Sequence, residues 1–251
     1  MTSCRCHPNR APPCRVSWGS SGPGRSDVKR YVASDLHNGN SITDYDRVMS
    51  FLEIVDDQAD EFLILGDWME LLWSNVNILT TVAPFSHVTD KVKGIAGRKP
   101  VKQVLGNHDW SLGFFTSTIE PVTVVKPFVE KGVYYTHGHE WDWVSLILGT
   151  PVDPIYWSVY YPFALPPAIG MWIIDKWFGG EEDRYFWGIS LIHERISAFA
   201  RKNGYHSVVF GHTHFPTVEL RGGINLYATG DQVDSYSYLV EEDGLIALHR
   251  Y

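Results

Sequence analysis

The sequence predicts an α/β domain in which polar site residues follow successive strands. Three observations carry this reading. Short apolar runs alternate with stretches of helical periodicity along most of the 251 residues, a length that one α/β domain often reaches. Hydrophobic residues make up 44% of the chain, enough for a sizeable core. Five of the apolar runs end in clusters of Asp, Asn, His and Gly, and α/β sheets bind ligands at the carboxyl ends of their strands.

Residues 1–27 are rich in Pro, Gly, Ser, Arg and Cys and lack apolar periodicity, the composition of a disordered leader. No continuous apolar stretch marks them as a secretory signal. Cys4, Cys6 and Cys14 are the chain's three cysteines and all fall here, so no disulfide framework holds the body. The folded domain is expected over 28–251.

A first strand is expected at 28–34, ending in Asp35-Leu36-His37. At an extended strand end, residues two apart point the same way, so Asp35 and His37 can converge on one ion. A helix follows over 41–59, with Ser41 or Thr43 as N-cap and Val48, Phe51, Leu52 and Val55 as its apolar face. The run Phe62–Leu65 is a short apolar strand leading into Gly66-Asp67. Residues 68–73 are expected to begin the next helix, and 80–97 to be largely helical. The basic cluster Lys91, Lys93, Arg98 and Lys99 reads as ordinary surface.

A strand carrying Val101, Val104 and Leu105 delivers Gly106-Asn107-His108-Asp109. The tetrapeptide combines an amide oxygen that can bind a metal, an imidazole that can donate a proton, and a carboxylate that can orient the imidazole. A further strand at 132–136 ends in His137-Gly138-His139. The segment 141–187 is crowded with Trp, Tyr, Phe and Pro, and 154–174 carries no charge. That length matches a membrane span, but four prolines interrupt it, and one crossing would separate His137 from His212. It reads instead as an insertion: a lid, an acyl-binding wall, a dimer surface, a membrane-surface patch over 143–174, or a subsidiary aromatic core.

A long helix is expected over 181–203, with Ile189, Ile192 and Ile196 in its apolar stripe and Gly204 as cap. Its His193 falls within the packed pattern. The strand Ser207–Phe210 delivers Gly211-His212-Thr213-His214, whose two imidazoles can project to one side. Apolar segments at 224–228, 237–240 and 245–249 suit a second sheet, with a hairpin turn at Glu242-Asp243-Gly244.

In this order, the five clusters D-L-H, G-D, G-N-H-D, H-G-H and G-H-T-H resemble the signature of the calcineurin-like metallophosphoesterases over roughly 28–251. Each follows a strand-like run, the structural context a motif needs. The resemblance implies a four-layer α/β/β/α sandwich with the aromatic-rich segment as a helical insertion. It implies one metal held by Asp35, His37, Asp67 and His214, and another held by Asp67, Asn107, His137 and His212. Two divalent ions about 3.5–4 Å apart share a water, lower its pKa and clamp phosphate oxygens. The hydroxide would attack phosphorus in line, with His108 serving the leaving group and Asp109 orienting its ring. His139 lies outside the minimal signature, as a substrate or supporting group or with a merely local role. Mixed Asn, Asp and His ligands suit Mn²⁺, Fe or Zn, with Mn²⁺ favoured.

The long segment between the HGH and GHTH clusters resembles that of the UDP-2,3-diacylglucosamine diphosphatase branch. The sequence departs from that branch where GNHD carries His rather than Arg, and where HGH stands for HGD. The expected substrate is therefore a phosphate monoester, diester or pyrophosphate, on a small or lipid-linked molecule. Net charge is −8, which gives no broad basic surface for nucleic acid. The expected location is the cytoplasm, with peripheral membrane contact as an option. A nuclease and a non-catalytic scaffold of the same fold are the alternatives, and the scaffold conflicts with eight filled positions, the seven ligands and His108.

Overall fold

The computed structural model describes residues 28–71, 74–142 and 181–251, with the backbone alone for 181–187. The expectations for the leader and for 143–180, the bulk of the insertion, lie outside the described residues.

Eleven strands form two sheets among the described residues. In chain order they are β1 (Arg30–Ala33), β2 (Glu61–Leu65), β3 (Val101–Val104), β4 (Thr123–Val125), β5 (Phe128–Glu130), β6 (Val133–Tyr135), β7 (Ser207–Phe210), β8 (Thr217–Arg221), β9 (Ile224–Ala228), β10 (Ser237–Glu242) and β11 (Leu245–Arg250). The first sheet runs β11-β10-β1-β2-β3-β4 and the second β5-β6-β7-β9-β8. Strands β1 to β4 are mutually parallel, as are β6, β7 and β9. The helices are α1 (Tyr45–Gln58), α2 (Val76–Thr81), α3 (Phe85–Ala96) and α4 (Glu181–Asn203).

Strand periodicity sets the layers, because successive side chains leave opposite faces. Tyr31, Ala33, Phe62 and Ile64 point into the core formed with Val48, Phe51, Leu52 and Val55 of α1 and Val88, Val92 and Ile95 of α3. Their neighbours Val32, Leu63 and Leu65 point the other way, against Tyr135, Val209 and Tyr227 of the second sheet. Val208, Phe210, Leu226 and Ala228 then meet Ile196 and Ala200 of α4. The layer order is helices, sheet, sheet, helix, the expected four-layer sandwich. Both parallel runs are buried on two faces, which is why their strands read as unbroken apolar stretches.

Three expectations are corrected. Residues 68–71 are not helical. The backbone after β2 keeps pairing with the backbone after β1, through His37 N to Asp67 O (3.0 Å), Asn38 N to Trp68 O (2.8 Å) and Glu70 N to Asn38 O (2.9 Å). The next helix starts only at α2, where the Asn75 side chain accepts from Ile78 N. The N-cap of α1 is Asp44, whose side chain accepts from Arg47 N, rather than Ser41 or Thr43; the 80–97 stretch is largely helical as expected, as the end of α2 and the whole of α3. Finally, β10 and β11 complete the first sheet, since β10 pairs antiparallel with β1. The Asp243-Gly244 turn joins them as expected, both residues having positive φ.

The remaining surface is conventional. Lys91 and Arg98 pair with Asp56, and Lys99 donates to carbonyls at the end of α1, so three of the four basic residues tie α3 and its end to α1, while Lys93 donates to Thr118 O. Among the described residues no helix is long and apolar enough to cross a membrane.

Candidate metal centre

All five motif clusters sit at the carboxyl ends of parallel strands. Asp35 and His37 follow β1, Asp67 follows β2, Asn107 to Asp109 follow β3, His137 and His139 follow β6, and His212 and His214 follow β7. Asp35, His37, Asp67, His212 and His214 adopt positive φ, between 46° and 64°. A left-handed non-glycine residue costs of order 1–3 kcal/mol. Five such residues at one edge of two sheets are strain concentrated at a site.

Close approach sets Gly106 and Gly211 of these motifs. A Cβ on Gly106 would fall on the Asp67 carboxylate and lie 2.7 Å from its backbone nitrogen. A Cβ on Gly211 would fall on Ser34 Oγ and lie 2.7 Å from Asp35 Oδ2. The loops can bring their carboxylates together only if these positions lack a side chain.

Three candidate ligand groups result among the described residues; His37, Glu70 and His108 form one, and the other two hold the expected ligands. In the first of these two, the donor atoms of Asp35, His37 and His214 lie within 4.8 Å of one another. His214 Nε2 is 3.2 Å from Asp35 Oδ1 and 3.2 Å from His37 Nε2. His37 Nδ1 donates to Glu70 at 2.9 Å, and His214 Nδ1 lies 3.1 Å from Asp231 Oδ2. Asp231 is itself fixed by the amides of Val233, Asp234 and Ser235. With each Nδ1 proton held by a carboxylate, two Nε2 lone pairs face each other beside a buried Asp35 oxygen that makes no hydrogen bond. Such a set repels itself unless a cation, or a proton, lies between its members.

The second group is Asp67, His137 and His212, again within 4.8 Å. His137 Nδ1 donates to Leu65 O at 2.6 Å, which turns Nε2 to within 3.1 Å of both Asn107 Oδ1 and Asp67 Oδ2. His212 Nε2 donates to Asp142 Oδ2 at 2.9 Å. Nitrogen and oxygen donors backed by carboxylates and a carbonyl fit a divalent metal. The seven expected ligands therefore fall into two adjoining sets.

Charge in the cluster is strongly coupled. Burial would raise the Asp67 carboxyl, but His137 and His108 hold it well below its ordinary value. Burial would lower His137, but Asp67 and Asp35 push it up to about 10. His214 is raised in the same way by Asp35 and Asp231. Burial and the neighbouring His137 depress His139 to about 4.

His108 stands beside these groups, its side chain 24% exposed against its buried neighbours. Its Nδ1 is 2.8 and 2.9 Å from the two oxygens of Glu70, and its Nε2 is 4.0 Å from Asp67 Oδ2. Burial opposes its charge, yet Asp67 and Glu70 raise its pKa above the ordinary value. Glu70 thus holds both His37 and His108, and its side chain is 1% exposed. The role expected of Asp109 is corrected here, because its carboxylate does not face the imidazole. It accepts from Gly106 N (2.7 Å), Gln103 Nε2 (2.6 Å) and Trp68 N (2.9 Å), pinning the loop instead. Burial and the Asp67 charge push it up to about 6. A carboxylate inside the apolar run Trp68 to Trp73 was the sequence signal for Glu70. His139 is buried beside His137, with ring centroids 5.3 Å apart, but belongs to none of the ligand groups.

The family model for calcineurin-like phosphoesterases matches residues 28–216. No curated protein matches the chain. Similar solved structures include an archaeal phosphodiesterase, 14% identical, covering 88% of this chain and 98% of its own, with TM-score 0.48. Another is the phosphoesterase Yfce from E. coli, 19% identical, covering 87% and 91%, with TM-score 0.44. A third is the Pseudomonas putida nuclease MPE, 17% identical, covering 87% and 72%, with TM-score 0.37.

Proposed function

The chain belongs to the calcineurin-like phosphoesterase family of metal-dependent phosphoester hydrolases, and on that premise we propose that it works with two divalent ions and uses His108 at the leaving group. The observation that carries this is the arrangement of nitrogens around the site. His37 and His214 direct Nε2 atoms at each other across 3.2 Å, and His137 directs Nε2 at Asn107 and Asp67. Asp35, His37 and His214 would hold one ion, and Asn107, His137 and His212 the other. Asp67, next to both, would serve the two together.

When bound, two such ions lower the pKa of a water and neutralise phosphate charge. The chain's own residues do the rest. His108, kept protonated by Asp67 and Glu70, gives its Nε2 proton to the departing oxygen. Glu70 fixes the ring through Nδ1, so that the proton sits on the nitrogen facing the site. Asp109 holds the Gly106 to His108 turn against the backbone after β2. No serine or cysteine nucleophile is required, and no covalent phospho-enzyme is expected.

The substrate is a phosphomonoester, phosphodiester or pyrophosphate whose leaving part is bulky or apolar, and Mn²⁺ is the ion to supply first. The test is hydrolysis of bis-p-nitrophenyl phosphate and p-nitrophenyl phosphate by protein stripped of metal and then given Mn²⁺. Metal-dependent release is expected, and the ratio of the two rates separates diester from monoester. No release from protein carrying two ions would overturn the proposal for both ester classes. Lipid-linked pyrophosphates, UDP-diacylglucosamine among them, form the next series.

A further inference from the structure

We propose that Asp142 is a positioning residue that decides which nitrogen His212 offers to a metal; this rests on the two-ion reading above. The four imidazoles among the expected ligands are not held alike. His37, His137 and His214 are each held at Nδ1, by Glu70, the Leu65 carbonyl and Asp231, and present Nε2. His212 is held the other way round, by Nε2 on Asp142 Oδ2 at 2.9 Å. With Nε2 engaged, Nδ1 is the nitrogen left for the group it shares with Asp67 and His137.

The backbone does not make this choice. His212 N donates to Asp35 Oδ2 at 3.0 Å, which fixes the main chain but does not choose between the two orientations of the ring. A half-turn would exchange the sides on which Nδ1 and Nε2 lie. A carboxylate on the far side of the ring settles that choice and fixes the tautomer, and such outer partners are worth about 10–100-fold in metal affinity.

Asp142 is built to stay in place. It ends the short turn of His139 to Trp141, with its N donating to His139 O at 3.2 Å. Arg195 of α4 donates to the Trp141 carbonyl at 3.0 Å. The Trp141 ring packs on Phe199 of α4, centroids 5.3 Å apart, and edge-on to Tyr134 of β6. The carboxylate is thus anchored to both β6 and α4, and its side chain is 18% exposed against 15% for His212.

The test has two readouts besides activity, each on the full chain. Mn²⁺ titration of Asp142→Ala is expected to show one ion weakened by about 10–100-fold and the other unchanged. Asp142→Asn, whose oxygen still accepts from Nε2–H, is expected to recover most of the loss. Imidazole ¹H–¹⁵N spectra of the Zn²⁺-loaded wild type are expected to place the His212 proton on Nε2, and those of His37, His137 and His214 on Nδ1. Unchanged affinity for both ions in Asp142→Ala, or a His212 proton on Nδ1 in the wild type, would overturn the assignment. Should the wild type bind fewer than two ions, the two-ion reading fails while the His212 proton still decides the role of Asp142. The wild-type spectrum keeps that decision open to refutation even if the alanine variant does not fold.

Discussion

His108 and Glu70 share one hydrogen bond and are expected to fail differently when altered. His108 touches Asp67 only through its backbone amide and at 4.0 Å through its ring, so His108→Ala should keep its metal content. Turnover should fall by 10²–10⁴, the usual worth of a general acid, and most for poor leaving groups that need the proton. Rates for p-nitrophenyl and alkyl esters check this, and equal losses for both would remove His108 from that role. Glu70→Gln should harm two functions at once, because the same carboxylate orients the metal-facing ring of His37. Its Mn²⁺ affinity should fall by about 10–100-fold together with turnover, and isothermal titration separates it from His108→Ala. Asp109→Asn belongs to a third class. Its four N–H donors all point at acceptor oxygens, and an amide group placed there meets one of them head-on. The expected cost is about 1–3 kcal/mol of stability, read as a lower denaturation midpoint, with no preference among leaving groups.

Strand ends explain why so much of the centre is legible in sequence. Asp35, His37, Asn107, His137, His212 and His214 lie within four residues of a strand's last residue, so local order in the chain becomes proximity in space once parallel strands align. Glu70 is different. Its place depends on the loop after β2 pairing with the loop after β1, a contact between distant segments, and the local pattern Trp68 to Trp73 reads as a helix. The membership of β10 in the first sheet is likewise fixed by its non-local pairing with β1, and alternation alone carries no sheet address. Strands β4, β5 and β8, only partly buried, leave too little apolar signal to be found. Gly106 tests the element-level account. Its backbone needs no unusual φ, so Gly106→Ala strains only through the space that Asp67 occupies. Overpacking of this kind costs about 1–3 kcal/mol. Mn²⁺ affinity should drop while the circular dichroism spectrum keeps its α/β shape, and unchanged affinity would mean that the loop relaxes without moving Asp67.

For the whole molecule, the site is a store of like and unlike charge whose balance depends on what occupies it. Without metal, protons on His137, His214 and His108 offset the carboxylates of Asp35 and Asp67. The His137 pKa is raised to about 10 in the folded state, against roughly 6.5 unfolded. That contribution is complete below pH 6.5 and is lost as pH rises through 10. The depressed carboxylates contribute above their unfolded pKa, about 3.9, and cease to do so as pH falls below it. Asp109, raised to about 6, acts in the opposite sense to those carboxylates and removes stability as pH rises from about 4 to 6, because ionising it costs more in the fold than in the open chain. Metal-free protein should therefore lose stability as the solution becomes alkaline. Metal reverses the trend, because it competes with those same protons for nitrogen lone pairs and binds more tightly as they leave. At a hundredfold excess over Kd, one ion adds about 2.7 kcal/mol, roughly 5–11 °C for a domain of this size. Melting curves with EDTA and with Mn²⁺ should consequently diverge from pH 6 to pH 9, and a constant gap across that range would show that His137 does not exchange a proton for the ion.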